Sequence, residues 1–411
     1  MKKFNKFLSV AVASAMVMAM AGCGNTDNGS AATGTNAATE SAAASDSAAA
    51  SDSAASGSVF KIGGIGPTTG GAAVYGLAVQ HGAEIAVEEI NAAGGINGYQ
   101  VEFKFQDDEA DAEKSVNAYN ALKDWGAQII DGSTTSGACI AVTDKTKEDN
   151  MFQITPSGSA VECVQYDNNF RVCFSNPNQG LASAQYIGEN GLAEKIAVIY
   201  DSSDVYSSGI YEKFAKEAEN QPFEIVAAEA FTADNKTDFS VQLQKAKDAG
   251  ADMVFLPIYY QESALILTQA AAMGYAPKWF SCDGMDGILG GVDNFDVSLT
   301  EGVMLLTPFA ADATDDLTQS FVTKYKEKYG DTPNQFAADS YDAIYVIKAA
   351  IEKSGVTPDM SVSDICDGMK AAMTEITVDG LTGNGMTWTA DGEANKAPKA
   401  VVIENGAYKA M

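Results

Sequence analysis

The chain contains only one histidine, His81, in 411 residues. A Ser-His-Asp triad, a Cys-His pair or a histidine-rich metal centre would have to use this single residue. A Gly-x-Ser-x-Gly nucleophile elbow is also absent from the sequence. These shortages argue against the common hydrolases, and we expect a protein that is not an enzyme and binds no metal.

Basic residues are few as well. Lysine and arginine together number 26 against 55 acids, which gives a formal net charge of −29 at pH 7. A chain so acidic repels the phosphate backbone of nucleic acids, because binding there depends on lysine and arginine. We therefore expect no nucleic acid partner, and we interpret the acidity as a means of staying soluble.

A glycine-rich stretch, Gly64 to Gly70, invites comparison with dinucleotide-binding loops. Thr69 stands where the third glycine of that motif belongs, and Pro67 interrupts the turn. The first acids after the next strand, Asp107 and Asp108, come about 40 residues later instead of about 20. The stretch therefore predicts no nucleotide site, and we expect no cofactor.

The sequence also lacks an apolar run long enough to span a membrane. The longest, Phe7 to Met20, has about 15 residues where a membrane helix needs about 20. Three lysines precede it and small residues lead into Cys23, an order typical of an export signal. Met20 to Cys23 resembles the lipobox of bacterial lipoproteins, so residues 1–22 are predicted to be a signal peptide and Cys23 the lipid-modified residue. The alternative is a signal peptide with an incidental cysteine.

Residues 23–58 form a low-complexity segment after the predicted signal peptide. From Gly24 to Ser58 the chain is nearly all small or polar and has no large apolar residue. Such a composition cannot bury enough surface to offset the entropy of folding. We expect a disordered linker that leaves the following body extracytoplasmic and attached to the membrane through the lipid on Cys23.

The other five cysteines form an odd set without the paired spacings of a zinc site. At least one thiol is therefore unpaired within a monomer. Cys163 and Cys173 flank a predicted turn, and their spacing allows a disulfide outside the cytosol. Two free thiols are the alternative.

Strand and helix patterns alternate along the body from Val59 to Met411, which is typical of parallel sheets built from βαβ units. This length is too great for one ordinary core and favours two lobes. Two predicted strands end in loops of small hydroxylated residues, Gly132–Gly137 and Pro156–Ser159. Ligands of open α/β sheets bind at such strand ends, so these loops are candidates for a site.

Five segments resemble, in their order, the leucine/isoleucine/valine-binding type of extracytoplasmic solute-binding proteins that serve ATP-driven (ABC) importers. They are Gly66–Gly70, Ile90–Gly98, Gln106–Asp108, Thr155–Ser159 and Asp339–Ala343. The resemblance implies an α/β fold of two doubly wound parallel-sheet lobes joined by three hinge crossings, with a ligand cleft between them.

The same resemblance places the crossings near Asn176, near Pro308 and between about Thr382 and Thr389. Lobe 1 would then comprise residues 59–176 and 309–382, and lobe 2 residues 177–308 and 383–411.

The resemblance also implies a site for the two charged ends of an amino acid. Ser136 and Thr135, with Ser159 and the backbone at Gly158, would bind the carboxylate through uncharged donors. Asp283 would bind the ammonium, since a buried charge needs a partner.

Four aromatic residues complete the predicted site: Tyr75 and Phe336 from lobe 1, and Tyr206 and Tyr259 from lobe 2, with Tyr260 competing for the role of Tyr259. Their rings can enclose an aliphatic side chain while the hydroxyls still form hydrogen bonds.

The expected function is capture of an amino acid, most simply an aliphatic or branched-chain one, and its delivery as a monomer to an ABC permease. Closure of the lobes would satisfy both charges of the ligand at once. One alternative is a tethered sensor for a signalling receptor, and another is a binding protein for an amide or an aromatic acid. A carboxylate-based hydrolase would need a second acid facing Asp283.

Overall fold

The computed structural model describes residues 57–411. The predicted signal peptide, the predicted lipidation site Cys23 and nearly all of the predicted linker lie outside the described residues. Among the helices that are described, none combines the length and the apolar character needed to cross a membrane.

The first sheet contains five parallel strands in the order β2-β1-β3-β4-β5. Their bounds are β1 Phe60–Gly66, β2 Val101–Asp107, β3 Ile129–Asp131, β4 Phe152–Thr155 and β5 Asn169–Arg171. Ile62 of β1 pairs with Phe103 on one side and Ile129 on the other. β3 and β4 are buried throughout, as is typical of inner strands of a parallel sheet, although β3 contains Asp131 and β4 contains Gln153 and Thr155.

Three helices connect these strands: α1 Ala73–Ala92, α2 Ala112–Trp125 and α3 Ser136–Glu148. The sequence pattern predicts a helix over Ala112–Trp125; the structure confirms these bounds for α2, and local signals explain them. The Asp111 side chain accepts a hydrogen bond from the N–H of Lys114 at the start of α2, and Gly126 ends it with a positive φ of 93°.

The second sheet is mixed, with strand order β14-β13-β10-β9-β8-β6-β7. Its parallel strands are β6 Lys195–Asp201, β7 Glu224–Phe231, β8 Met253–Leu256, β9 Lys278–Ser281 and β10 Met304–Thr307. Near the C-terminus the chain forms a separate hairpin of β11 Thr387–Trp388 and β12 Ala394–Asn395. The antiparallel strands β13 Lys399–Glu404 and β14 Ala407–Ala410 follow it and complete the second sheet.

Helices α4 Asn176–Glu189, α5 Val205–Ala218, α6 Ser240–Asp248 and α7 Tyr260–Ala272 accompany the second sheet. The sequence pattern predicts a loop as far as Tyr206 and a helix only from Gly209. The structure begins α5 at Val205 instead, because the Asp204 side chain accepts the N–H of Tyr206 at 3.2 Å and acts as an N-cap. Tyr206 therefore lies in the first turn of a helix.

After β10 the chain forms α8 Asp316–Tyr329, α9 Gln335–Ser354 and α10 Val362–Met373. α9 packs along α1, beside the first sheet. The predicted fold class, two lobes with largely parallel sheets, is confirmed.

The β11–β12 hairpin still belongs with the first sheet. The indole N–H of Trp388 donates to the carbonyl of Arg171 at 2.8 Å, and the N–H of Arg171 donates to the carbonyl of Gly392 at 3.0 Å. The chain reaches the second sheet only at Lys399, so the hairpin contacts β5 before the chain joins β10. Just before β13, the Lys396 ammonium forms a buried 2.8 Å ion pair with Asp339 of α9.

Candidate functional site

Two loops lie side by side at the carboxyl ends of β3 and β4. The Ser136 hydroxyl, at the start of α3, connects them: its oxygen accepts hydrogen bonds from the N–H groups of Ser159 and Ala160, each at 3.1 Å. The Ser159 hydroxyl oxygen lies 3.4 Å from the same atom. The structure thus brings together the two serines predicted to bind a carboxylate.

Asp283 directly follows β9 in the second sheet and is only 6% exposed. Its carboxylate accepts hydrogen bonds from the Tyr206 hydroxyl at 2.6 Å and from the side-chain amide of Gln179 at 2.7 Å. Burial raises the pKa of Asp283 to about 7, and these two hydrogen bonds offset only part of that rise. The group is therefore a buried acid in the second lobe that titrates near neutral pH.

The four predicted aromatic residues form one continuous wall. The ring of Tyr75 lies 4.3 Å from that of Phe336 and 5.5 Å from that of Tyr259 between centroids. Tyr206 and Tyr259 are stacked with centroids 5.0 Å apart. Tyr260 also contacts Tyr75, at 5.1 Å, from the side. The wall spans both lobes, because Tyr75 and Phe336 stand on α1 and α9 and the others on α5 and at the start of α7.

Tyr75 also connects the lobes by hydrogen bonds. Its hydroxyl donates to the carbonyl oxygen of Gly284 and accepts the N–H of Tyr260 at 3.2 Å. Gln335, at the start of α9, adds a bond from its side-chain amide to the carbonyl oxygen of Asp283 at 2.9 Å. The two lobes are therefore held in a closed arrangement by their own side chains.

A small cavity, here called the inner cavity, lies between the loops, the aromatic wall and Asp283. Its volume is about 10 Å³, and its lining residues are Tyr75, Thr134, Thr135, Ser136, Ser157, Tyr206, Tyr259, Asp283, Gly284 and Phe336. This volume accommodates about one water molecule. No lysine or arginine belongs to this set of described residues.

All of the predicted ligand residues except Gly158 and Ser159 line the inner cavity. Ser157 lines it in their place, and its hydroxyl donates to the carbonyl oxygen of Thr134 at 2.6 Å. Gly158 lies directly against Cys139, where a Cβ atom would come within 3.0 Å of the sulfur. Ser159 contributes through its contact with Ser136 instead.

A larger cavity, the outer cavity, has a volume of about 660 Å³ and shares Thr135 and Tyr259 with the inner one. The Thr135 hydroxyl is buried and has no hydrogen-bond partner among the described residues. It is thus available to a group that enters from the outer cavity.

Sequence reasoning missed the two glutamines that hold Asp283. Gln179 and Gln335 both complete a Pro-Asn-Gln tripeptide near the start of a helix, Gln179 in α4 and Gln335 in α9. The repetition of one tripeptide at both places is the signal that could have identified them.

Cys163 and Cys173 are not bridged: all five cysteines of the described residues are free, buried thiols. The predicted disulfide is therefore absent. Cys163 faces α3 instead, with its sulfur 3.7 Å from the carbonyl oxygen of Ser136. The same part of the chain has no cluster of histidine, cysteine and acidic side chains that could hold a metal ion.

Buried acids give the ligand-free protein an unusual dependence on pH. Burial raises the pKa of both Asp131 and Asp283 to about 7 and that of Asp108, Asp204, Asp286 and Asp342 to about 6. The unfolded chain loses these protons near pH 4, whereas the native state keeps them. These six acids therefore contribute stability that is fully present near pH 4 and is lost as the pH rises from there through their native pKa values of 6 to 7. His81 acts in the opposite direction, because burial lowers its pKa.

We expect the melting temperature of the ligand-free protein to be higher at pH 5.5 than at pH 8, as measured by differential scanning calorimetry. The Asp131→Asn variant, which lies outside the inner cavity, should lose part of this difference. A melting temperature that is equal or higher at pH 8 would contradict the interpretation of the buried acids.

Comparison with known proteins agrees with this geometry. The family model described as "Periplasmic binding protein" matches residues 59–407. A Leu/Ile/Val-binding protein homolog of Brucella melitensis is 30% identical over 300 residues, covering 72% of this chain and 80% of that protein. A leucine-, isoleucine-, valine-, threonine- and alanine-binding protein of Pseudomonas aeruginosa is also 30% identical, covering 72% of this chain and 78% of the other.

Solved structures show the same similarity. The substrate-binding protein LivJ of Streptococcus pneumoniae, in complex with isoleucine, superimposes with a TM-score of 0.77 and 28% identity, covering 86% of this chain and 99% of LivJ. The leucine-binding protein LivK of Thermotoga maritima superimposes with a TM-score of 0.75 and 27% identity, covering 86% of this chain and 98% of LivK. The chain therefore belongs to the periplasmic binding protein family, and within it to the type of the Leu/Ile/Val-binding protein homologues that it resembles.

Proposed function

We propose that this protein is a lipid-anchored extracytoplasmic receptor that captures an aliphatic amino acid and delivers it to an ABC permease. The observation that carries the proposal is the pairing of one buried carboxylate, Asp283, with a facing set of uncharged donors around Ser136. An amino acid has one positive and one negative end, and this site offers a partner to each. An isolated carboxylate ligand would leave Asp283 facing a like charge or an apolar group.

The ammonium of the amino acid would bind Asp283 in place of the Tyr206 hydroxyl, which now donates to it at 2.6 Å. The carboxylate would accept the hydroxyl protons of Ser136 and Thr135. Since the inner cavity measures only about 10 Å³ in the closed arrangement, the lobes must part and Tyr206 must turn before the ligand enters.

The aromatic wall favours an apolar side chain on the ligand, and the similar proteins of known binding favour a branched one. Contact with Tyr75, Tyr259 and Phe336 buries an aliphatic group at about 0.8 kcal/mol for each CH₂. The Met20 to Cys23 sequence supports attachment to the membrane, and an acidic, self-contained binding body supports a receptor that works as a monomer and has no enzymatic activity.

A thermal-shift screen of the full chain in mild detergent against the twenty amino acids tests the proposal. We expect aliphatic amino acids to raise the melting temperature and acidic or basic ones to leave it unchanged. Two compounds serve as controls: benzoate has a carboxylate but no ammonium, and acetamide has neither charge. A shift with either control and with no amino acid would show that the site binds another class of solute.

A further inference from the structure

Arg171 is the only arginine in the chain, and all other basic residues are lysines. It ends strand β5, and its side chain is 0% exposed although it carries a full positive charge. A buried charge is costly unless it is paired and hydrogen-bonded, so its surroundings show what it serves.

The guanidinium of Arg171 faces the back of the loop that follows β4. It donates to three successive carbonyl oxygens: that of Gly158 at 3.4 Å, that of Ser159 at 2.6 Å and that of Ala160 at 2.9 Å. A planar fork of five donors suits such a row of acceptors, whereas the single ammonium of lysine does not.

These bonds determine where the front of the loop points. In a trans peptide the C=O and the N–H of one unit point in opposite directions. Holding the carbonyls of Gly158 and Ser159 toward Arg171 therefore turns the N–H groups of Ser159 and Ala160 the other way. Both N–H groups donate to the hydroxyl oxygen of Ser136.

The Ser136 hydroxyl is thereby left with one function. A hydroxyl has two acceptor positions and one proton, and here both acceptor positions are filled by N–H groups. Its proton remains free to donate to Ser159 or into the inner cavity, which Ser136 lines. The chain of bonds from the guanidinium to this proton is aligned, so each bond strengthens the next.

The charge of Arg171 is incompletely balanced. Among the described residues, Glu393 is the only carboxylate in ion-pair contact with it, at 3.4 Å, and that side chain is 33% exposed. Glu393 stands in the hairpin that connects β11 and β12 and does not line the inner cavity. The positive charge behind the Ser136 loop is therefore offset, in ion-pair contact, only by a partly exposed carboxylate, and no lysine or arginine of the described residues lines the inner cavity.

We infer that Arg171 is a positioning residue for the ligand carboxylate: it orients residues 158–160 so that Ser136 donates into the cavity, and its buried charge attracts the carboxylate from behind the loop. This inference rests on the proposed function, since it requires a ligand with a carboxylate at Ser136.

Glu393→Gln tests the electrostatic part without touching the cavity. Removing the balancing charge should tighten the binding of leucine by about threefold to tenfold. Leucinamide keeps the ammonium, the side chain and a carbonyl acceptor but lacks the negative charge, so its affinity should not rise and, because this probe is a cation, should fall slightly. Asp391→Asn is the matched control, because Asp391 is an exposed acid in the same hairpin. Both dissociation constants are measured by isothermal titration calorimetry on the full chain in detergent.

Arg171→Lys tests the positioning part, because it keeps the charge and loses the fork. We expect leucine to bind about tenfold more weakly, with a smaller loss for leucinamide. An equal loss for both probes would indicate a purely structural role. If this variant does not fold, the Glu393→Gln variant still tests whether the charge of Arg171 acts on the ligand carboxylate.

The inference is wrong if Glu393→Gln changes leucine and leucinamide equally, or changes neither. The screen of amino acids on the wild-type chain comes first. If no amino acid binds there, the proposed function itself is wrong, and this outcome is distinct from an amino acid that binds but ignores Glu393. Should another amino acid give the larger shift in that screen, it and its amide replace the leucine pair.

Discussion

Replacing Asp283 by asparagine is expected to abolish amino acid binding and, at the same time, to stabilise the ligand-free protein near neutral pH. The variant keeps the size and shape of the side chain but leaves the ligand ammonium buried without a negative partner. Truncating one member of such a pair costs about 2 to 5 kcal/mol, so the dissociation constant should rise about 30-fold or more.

The gain in stability has the same origin. In the native state, burial makes the ionised form of Asp283 unfavourable and raises its pKa to about 7. A neutral amide avoids that cost, and Gln179 can present its carbonyl oxygen to the new side chain by turning its amide. A protein that melts higher and binds nothing cannot be explained by misfolding.

Asp293→Asn is the control for this experiment, because Asp293 is an exposed acid ten residues farther along in the same lobe. Calorimetric titration and thermal melting of the three proteins provide both readouts. If Asp283→Asn binds the amino acid as tightly as the wild type, the assignment of the ammonium to Asp283 is wrong.

The affinity for the amino acid is expected to fall about 100-fold between pH 8 and pH 5. Only ionised Asp283 can pair with an ammonium, and its pKa of about 7 in the ligand-free protein means that most molecules are protonated below that value. Each unit of pH below the pKa then weakens apparent binding about tenfold. The sign follows from the raised pKa, since the proton and the ammonium compete for the same carboxylate.

Two variants separate this effect from other buried acids. Tyr206→Phe removes a hydrogen bond that lowers the pKa of Asp283, so the midpoint of the pH dependence should move upward. Asp131→Asn removes an acid with a similar pKa that lies outside the inner cavity, and the midpoint should stay where it is. A dissociation constant that is constant from pH 5 to pH 8 would contradict the prediction.

The fold was largely predictable because its signals are local. The strand at Lys278–Ser281 and the helix at Ala112–Trp125 follow from apolar patterns, an N-cap and a terminal glycine, and the structure confirms their bounds. The start of α5 was not predicted, because one capping bond from Asp204 outweighs the turn-forming serines of that segment. The C-terminal hairpin was missed for another reason: its partner, Arg171, lies more than 200 residues away in the sequence.

The difference between local signals and contacts of distant segments also applies to the site. Asp283, Ser136 and the aromatic residues were identified from a resemblance carried over position by position, and the structure gathers them around one cavity. The contacts of Gln179 and Gln335 with Asp283 join distant segments, and the Pro-Asn-Gln tripeptide that both segments share marks the glutamines but does not specify their partner. The cysteines illustrate the limit most clearly, because spacing allowed either a Cys163–Cys173 disulfide or two free thiols, and only the fold, which turns Cys163 toward α3, distinguishes them.

The bonds that Tyr75 and Gln335 make across the cleft affect the kinetics of capture. If these bonds close the cleft before capture, an amino acid that binds as proposed reaches Asp283 only after they break. Under that condition we expect a first-order opening step to limit association at high solute concentration, so that the observed capture rate levels off as the solute becomes abundant. The same bonds re-form around the bound solute and slow its escape, which favours scavenging of a scarce nutrient over rapid turnover of a plentiful one.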